Sequence, residues 1–398
     1  MSETTVRELV RATPLRSTVV DVDLDAIVAN YETVRRRANA AVIAVVKADA
    51  YGHGVEAVAR TLADAGVAML AVVTVEEALV IRATGVDAPI LVLFGPSDRA
   101  EAEAAVAAGC AMVVWDLERA RMIDDVAAAA GTRALVHLKV DTGLTRLGAP
   151  LDEAVARYRA IAALPHIEVD GIFTHLATAD EPDVTNDREQ LARFAEVLSA
   201  IGSPPRLIHA SASAAVAAFD PVPGHNAIRP GLALYGLHAA PHLAGALDLR
   251  PALTWTSRVA RVAAAKKGQG VSYGHEYRLP RDGRIATVPV GYGDGIPRSL
   301  KKRGRLLVGG RALPFAGRIC MDLVMLDVTE LPAVREGDEV TIIGRQSDVQ
   351  QTADDLAEAA GTINYEILTG IRRRVPRRYR RGGRVVATRT VLGGYVEV

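Results

Sequence analysis

Eight short apolar runs, most of them rich in β-branched residues, succeed one another over about 200 residues: "VIAVVK" (42–47), "MLAVV" (69–73), "PILVLF" (89–94), "AMVVW" (111–115), "ALVHLKV" (134–140), "EVDGIFTH" (168–175), "RLIHA" (206–210) and "NAIRPGLALYG" (226–236). Amphipathic, alanine-rich stretches separate them, among them "GVEAVARTLADAG" (54–66), "TVEEALVIRATG" (74–85), "DLERARMIDDVAAAAG" (116–131) and "DREQLARFAEVLSAIG" (187–202). Most of these end in glycine, as helix C-termini favour. Continuous apolar strands alternating with helices predict a parallel sheet covered by helices. Eight such strands are what a closed (β/α)8 TIM-type barrel needs. A doubly wound open sheet is the competing arrangement. It wants a glycine-rich phosphate turn after an early strand, and no G-x-G-x-x-G stands in that place.

Beyond about residue 250 the texture changes to period-two runs, "TWTSRVARVAAA" (254–265), "GRIATVPVGYG" (283–293), "LVMLDVTEL" (323–331) and "DEVTIIG" (338–344), parted by turn signals. These predict antiparallel β structure, with "QTADDLAEAAGTINYEILTGI" (351–371) adding two short helices. The expected division is a polar N-terminal extension over 1–16, a barrel over 17–250 and a mostly antiparallel β domain over 251–398. Lys plus Arg equals Asp plus Glu at 47 each, so no overall field attracts nucleic acid or an anionic membrane. Two cysteines, Cys110 and Cys320, fit a reducing cytosol. With no membrane-length apolar run and no signal-peptide pattern, a soluble cytoplasmic protein is expected. The arginine-rich "RRRVPRRYRRGGR" (372–384) reads as a solvated or salt-bridged face, since no nucleic-acid module surrounds it.

A barrel of this kind carries function at the C-terminal ends of its strands. Those ends present Lys47, Lys139, His175, the segment after His209, and Arg229. Taken singly, each has a dull alternative. Lys47 after "VIAVV" is either a strand end in solvent or an amine wanted uncharged as nucleophile or base. Together they describe a cationic rim, and its ligand should be anionic, with phosphate the natural candidate and "RPGLALYG" the backbone to cradle it. A strand-end lysine beside a phosphate site points to pyridoxal phosphate (PLP). No Asp or Glu sits at these ends to protonate the pyridine nitrogen. Arg229 can only donate, which weakens the ring as an electron sink and suits proton removal and return at Cα. No metal is expected.

Nine motifs then follow in order: "VVKADAYGHG", "KVDTGLTRLG", "THLATAD", "RPGLALYG", "VSYGHEY", "PVGYGDGIPR", "GRICMDLVMLDV", "INYEI" and "RVPRRY". From about residue 15 onward the chain resembles the alanine racemases, PLP enzymes built of an N-terminal barrel and a C-terminal β domain. The resemblance implies a homodimer with shared active sites. Lys47 would hold the cofactor covalently and serve as one base, with Tyr273 of the opposite subunit as the other. Tyr51, Ser213, Tyr365 and the backbone of Gly231 and Leu232 would hold the phosphate. Arg229 would face the pyridine nitrogen, with His175 beside it. Arg146 would lie near the phenolic oxygen and the substrate carboxylate, positioned by Lys139, often a carbamate in the family. Tyr292 and the main chain of Met321 would line substrate entry. One departure is Ala212, where the family usually has asparagine after the seventh strand. A racemase acting on serine, lysine or a biosynthetic amino acid would share nearly every motif. A PLP decarboxylase would want an acidic partner for the ring nitrogen, and a non-enzymatic PLP carrier resembles the barrel alone. Cell-wall supply of D-alanine and a specialised pathway are both compatible with the motifs.

Overall fold

The computed structural model describes residues 14–391 and 393–397. Backbone packing divides the chain into two compact units. One comprises 26–50 and 58–251; the other comprises 252 onward, with the stretches up to residue 25 and 51–57.

A first strand, β1 (Val19–Asp23), belongs to the second of these units, and the barrel begins with the strand after it. Its strands are β2 (Ala41–Val45), β3 (Met69–Val72), β4 (Ile90–Val92), β5 (Ala111–Val114), β6 (Ala134–Lys139), β7 (Ile167–Phe173), β8 (Leu207–Ala212) and β9 (Ala227–Arg229), parallel and closed by pairing of β9 with β2. Each overlaps one of the eight apolar runs read from the sequence, although β9 takes up only the start of the 226–236 run. Strands β3, β4 and β5 are buried throughout, which is why they show no polar alternation. Helix starts between them carry the expected caps: Thr74, Asp98 and Asp116 each accept a hydrogen bond from the amide three residues on.

In the β unit, β1 lies inside a nine-stranded sheet, antiparallel to Leu253–Arg258 and parallel to Arg377–Arg381. A three-stranded antiparallel sheet joins Arg261–Ala265, Gly283–Val288 and Val324–Asp327. The two short helices are Ala353–Ala360 and Asn364–Thr369.

One expectation needs correction here. The arginine-rich run is only in part a solvated, salt-bridged face. Arg378 and Arg380 do pair with Asp21 of β1, at 3.0 and 2.7 Å from their Nε atoms. Arg377, however, is wholly buried and donates to the carbonyls of Gly52, Ile371, Arg372 and Val375. Within the expected polar extension over 1–16, Arg16 is hydrogen-bonded to the β unit. Arg16 donates to Asp294 Oδ2 at 2.8 Å and to the Pro289 carbonyl at 2.9 Å. Residues 1–13 of that extension lie outside the described residues. Among the described residues, no helix is long and apolar enough to cross a membrane.

Candidate active site

Lys47 leaves β2 into an unusual backbone. Ala48, Asp49, Ala50 and Tyr51 all have φ between 51° and 58°, a left-handed turn made without glycine. For L-residues this costs about 1 kcal/mol or more at each position, and such strain persists only where surrounding contacts enforce it. One enforcing contact is Glu77. Its Oε1 accepts from the Ala48 amide at 2.6 Å, while Oε2 accepts from the Val73 amide at 2.8 Å. The carboxylate thus ties the peptide after Lys47 to the end of β3. Within the turn, the Ala50 amide donates to the Val46 carbonyl at 2.9 Å.

Around Lys47 the barrel rim is strongly cationic. Burial, then the charge of Arg146, lowers the Lys47 ammonium below its ordinary range. Lys139, at the end of β6, is pushed down to about 8 by burial and by Arg146 and Arg229. Arg229 is 4% exposed, and burial followed by Arg146 depresses it to about 9. Its guanidinium donates to His209 Nδ1 at 2.7 Å, His175 Nδ1 at 3.0 Å, and the carbonyls of Thr174 and Ala210 at 2.8 and 3.0 Å. No carboxylate is among these partners. His175 is held far below its usual range, first by burial and then by Arg229, Arg146, Lys139 and Lys47, so the ring is neutral. The nearby carboxylates are engaged elsewhere: Glu77 as above, and Asp141 with the amides of Gly143 and Thr145 at 3.0 and 3.1 Å. The latter contacts shape the loop that carries Arg146. Gln190 ties this loop to that of His175, donating to Thr142 Oγ1 and to the His175 carbonyl, both at 3.1 Å.

After β8, Ser213 Oγ accepts from the amides of Gly231 and Ala233 at 3.0 and 3.1 Å. Both lone-pair sites are thereby used and the hydroxyl proton is left to donate. Ala212 stands opposite Arg229 in the β8–β9 register, so the departure from the family motif removes a polar side chain next to that arginine.

The remaining candidates lie in the β unit. Tyr51 and Tyr365 face one another with ring centroids 6.1 Å apart, and burial with the neighbouring phenol raises the Tyr51 hydroxyl. The loops of Tyr292 and Met321 are zipped together: the Tyr292 amide donates to the Cys320 carbonyl at 3.1 Å and the Gly293 amide to the Met321 carbonyl at 2.8 Å. Buried Asp294 locks the first of them, accepting from the Gly291 amide at 2.9 Å and Arg374 Nε at 2.6 Å. Tyr273 is 71% exposed and Met321 52%.

Comparison with known proteins agrees with this architecture. The family model of the alanine racemase N-terminal domain matches residues 22–239 and that of the C-terminal domain residues 252–379. The chain belongs to the alanine racemase family. It is 42% identical to the alanine racemase of Halothermothrix orenii over 92% of this chain and 97% of that one. To the alanine racemase of Symbiobacterium thermophilum it is 43% identical, with the same coverage. Among solved structures, alanine racemase from D-cycloserine-producing Streptomyces lavendulae superposes with a TM-score of 0.87 at 39% identity, over 93% of this chain and 98% of that one. The Bacillus anthracis enzyme with bound L-Ala-P gives 0.88 at 37%, over 96% and 99%.

The family is one of PLP-dependent isomerases, and the rim fits that cofactor. Buried cations without carboxylate partners call for an anionic ligand, and the Arg229 guanidinium has only protons to offer a ring nitrogen. Three polar positions at or beneath the rim are not singled out by the sequence: Glu77, His137 and Asp170. Glu77 is marked only as the fourth residue of a Thr-x-x-Glu cap. His137 stands inside an apolar strand, and Asp170 precedes a glycine in the middle of another. Polar residues and a glycine inside buried strands are the signal that could have found them.

Proposed function

We propose that this protein interconverts L-alanine and D-alanine with PLP bound at the C-terminal rim of its barrel. The observation that carries the reading is Arg229. It is buried, held by two imidazole nitrogens and two carbonyls, and surrounded by further positive charge. Bound PLP makes the Cα proton of an attached amino acid removable. An arginine at the ring nitrogen keeps that nitrogen unprotonated, and this favours return of a proton to Cα over competing outcomes. Lys47, with its lowered ammonium, suits both attachment of the cofactor and proton transfer on one face of Cα. Tyr273, carried by a second copy of the chain, is assigned the other face.

Ser213, with a free hydroxyl proton, and the backbone of Gly231 and Leu232 are assigned to the phosphate, together with Tyr51 and Tyr365. His175, neutral, orients beside Arg229. Arg146 takes the substrate carboxylate. Lys139, near 8, has enough neutral amine to add carbon dioxide, and a carbamate there would place an anion among the cations. Tyr292 and Met321 line substrate entry. The homodimer is supported by the exposure of Tyr273, Met321 and Leu323, at 71, 52 and 40%. A cytoplasmic enzyme supplying D-alanine for peptidoglycan precursors fits this reading.

A second substrate is favoured only by Ala212, which leaves room beside Arg229. The test is turnover of L-alanine, L-serine and L-lysine by the PLP-loaded protein, read by chiral separation. Alanine should racemise fastest. Faster turnover of serine or lysine would transfer the activity to that amino acid, and retained optical purity in all three would overturn the reading. In Tyr273→Phe, racemisation should nearly vanish while D-alanine still exchanges its Cα proton in deuterated water. Equal loss of exchange from both enantiomers would contradict the two-base assignment.

A further inference from the structure

The interior of the barrel, beneath the rim, holds a line of polar side chains, hydrogen-bonded from Arg229 to His137 and within 3.4 Å from there to Asp170. Arg229 Nη1 meets His209 Nδ1 at 2.7 Å, and His209 Nε2 meets His137 Nδ1 at 2.9 Å. His137 Nε2, buried and without a hydrogen-bond partner, lies 3.4 Å from Asp170 Oδ2, at ion-pair distance. Asp170 accepts from Arg206 Nε and Nη2, both at 2.7 Å, and Arg206 reaches solvent with 62% side-chain exposure. His137 and His209 are wholly buried and Asp170 is 5% exposed. The chain therefore runs from β9 through β8 and β6 to β7.

Its direction is dictated by the chemistry of its ends. A guanidinium only donates, so His209 Nδ1 must accept and the proton of that ring sits on Nε2. This proton points at His137 Nδ1, which must accept in turn, so His137 also carries its proton on Nε2. That proton faces a carboxylate, which only accepts. Burial keeps both rings neutral by lowering them from the usual histidine range, and the contacts with His137 and Arg206 hold Asp170 ionised. Any other arrangement of the protons places two donors or two lone pairs against each other. The backbone is shaped for the chain as well. A Cβ on Gly171 would come within 2.4 Å of His137 Nδ1, so the glycine after Asp170 makes room for the ring.

We propose that Asp170 is a distal positioning residue for Arg229, terminating a one-way chain of imidazoles that orients the guanidinium and strengthens its acceptor, His209 Nδ1. Successive hydrogen bonds in a dry interior polarise one another, so an anion at the far end is felt at the rim. Its influence on turnover rests on the reading of Arg229 given above; the proton arrangement does not.

The test uses full-length protein labelled with 15N-histidine, in the PLP-loaded form, and compares Asp170→Asn and Asp170→Leu. In the wild type, long-range 1H–15N spectra should show His137 and His209 protonated on Nε2 alone. Asn keeps an oxygen acceptor without the charge and should preserve that pattern, with turnover between those of the wild type and Asp170→Leu. Leu removes the acceptor: the His137 Nε2 proton should shift upfield and exchange faster, and kcat should fall about tenfold with KM unchanged, the scale of loss usual for partners that orient a site group. An Nδ1-protonated ring in the wild type overturns the proposal. So does an Asp170→Leu protein with unaltered kcat, or an Asp170→Asn protein that loses as much as Asp170→Leu. If Asp170→Leu does not fold, the wild-type spectrum and Asp170→Asn decide by the same criteria. Correct tautomers in a protein with no racemase activity would count against the function and not against the chain.

Discussion

Arg377 and Arg229 are both withdrawn from water, at 0 and 4% exposure, yet their guanidinium groups are partnered differently. In the β unit, Arg377 gathers four backbone carbonyls, from Gly52, Ile371, Arg372 and Val375. Those carbonyls are fixed dipoles, and the arginine satisfies groups that would otherwise be buried without a donor. In the barrel, Arg229 meets two carbonyls and two imidazoles, with Arg146 adding repulsion. One arginine braces the backbone. The other is a charge kept at a cost, and such groups collect at functional sites.

The same substitution at both positions should separate these roles. Arg377→Gln leaves carbonyls unpaired and should cost about 3 kcal/mol or more of stability, visible as a large drop in thermal midpoint. Arg229→Gln also leaves two carbonyls unpaired but removes a penalised cation from among other cations, so its midpoint should fall less. Its alanine turnover should nonetheless fall about a hundredfold. A drop in midpoint as large in Arg229→Gln as in Arg377→Gln would erase the distinction.

A smaller effect comes from the histidines of the barrel. Burial, then Arg229, lowers His225 from an ordinary value of 6.5 to about 4. The unfolded chain therefore binds a proton between these values that the folded chain refuses. Stability is full above about pH 6.5 and declines as pH falls toward 4. His175 and His209, also lowered, act in the same direction. Thermal midpoints measured from pH 7 to 4 should fall, and His225→Gln should flatten part of the slope. A profile unchanged by that substitution would remove His225 from the account.

The smallest effect concerns the left-handed turn. Asp49 has φ 58°, and Asp49→Gly should raise stability by about 1 kcal/mol, because glycine enters this region freely. Turnover should fall in the same protein, since the turn places Lys47. Gains in both would mean the strain serves no placement.

Much of the fold could be read from the sequence because the barrel strands are buried on both faces and show as unbroken apolar runs. Strand β1 escaped notice for the opposite reason. "VVDVD" is short and alternates, and its parallel partner, Arg377–Arg381, lies some 350 residues along the chain. Asp21 is the residue that Arg378 and Arg380 need, so the arginine run acquires meaning only with that pairing known. Within the site, residues presented at strand ends were legible by position alone. The groups beneath them were not. His137 and Asp170 lie at mid-strand, and their role depends on neighbours from other strands, which local sequence does not encode.

Lys47 is proposed as the amine to which the cofactor attaches. Lys139 is the rival, because it too ends a barrel strand and its ammonium is likewise lowered. Borohydride reduction of the PLP-loaded protein, followed by proteolysis and mass spectrometry, distinguishes the two directly. A pyridoxyl group is expected on the peptide containing Lys47 and none on that containing Lys139. Recovery of the label on Lys139 would contradict it.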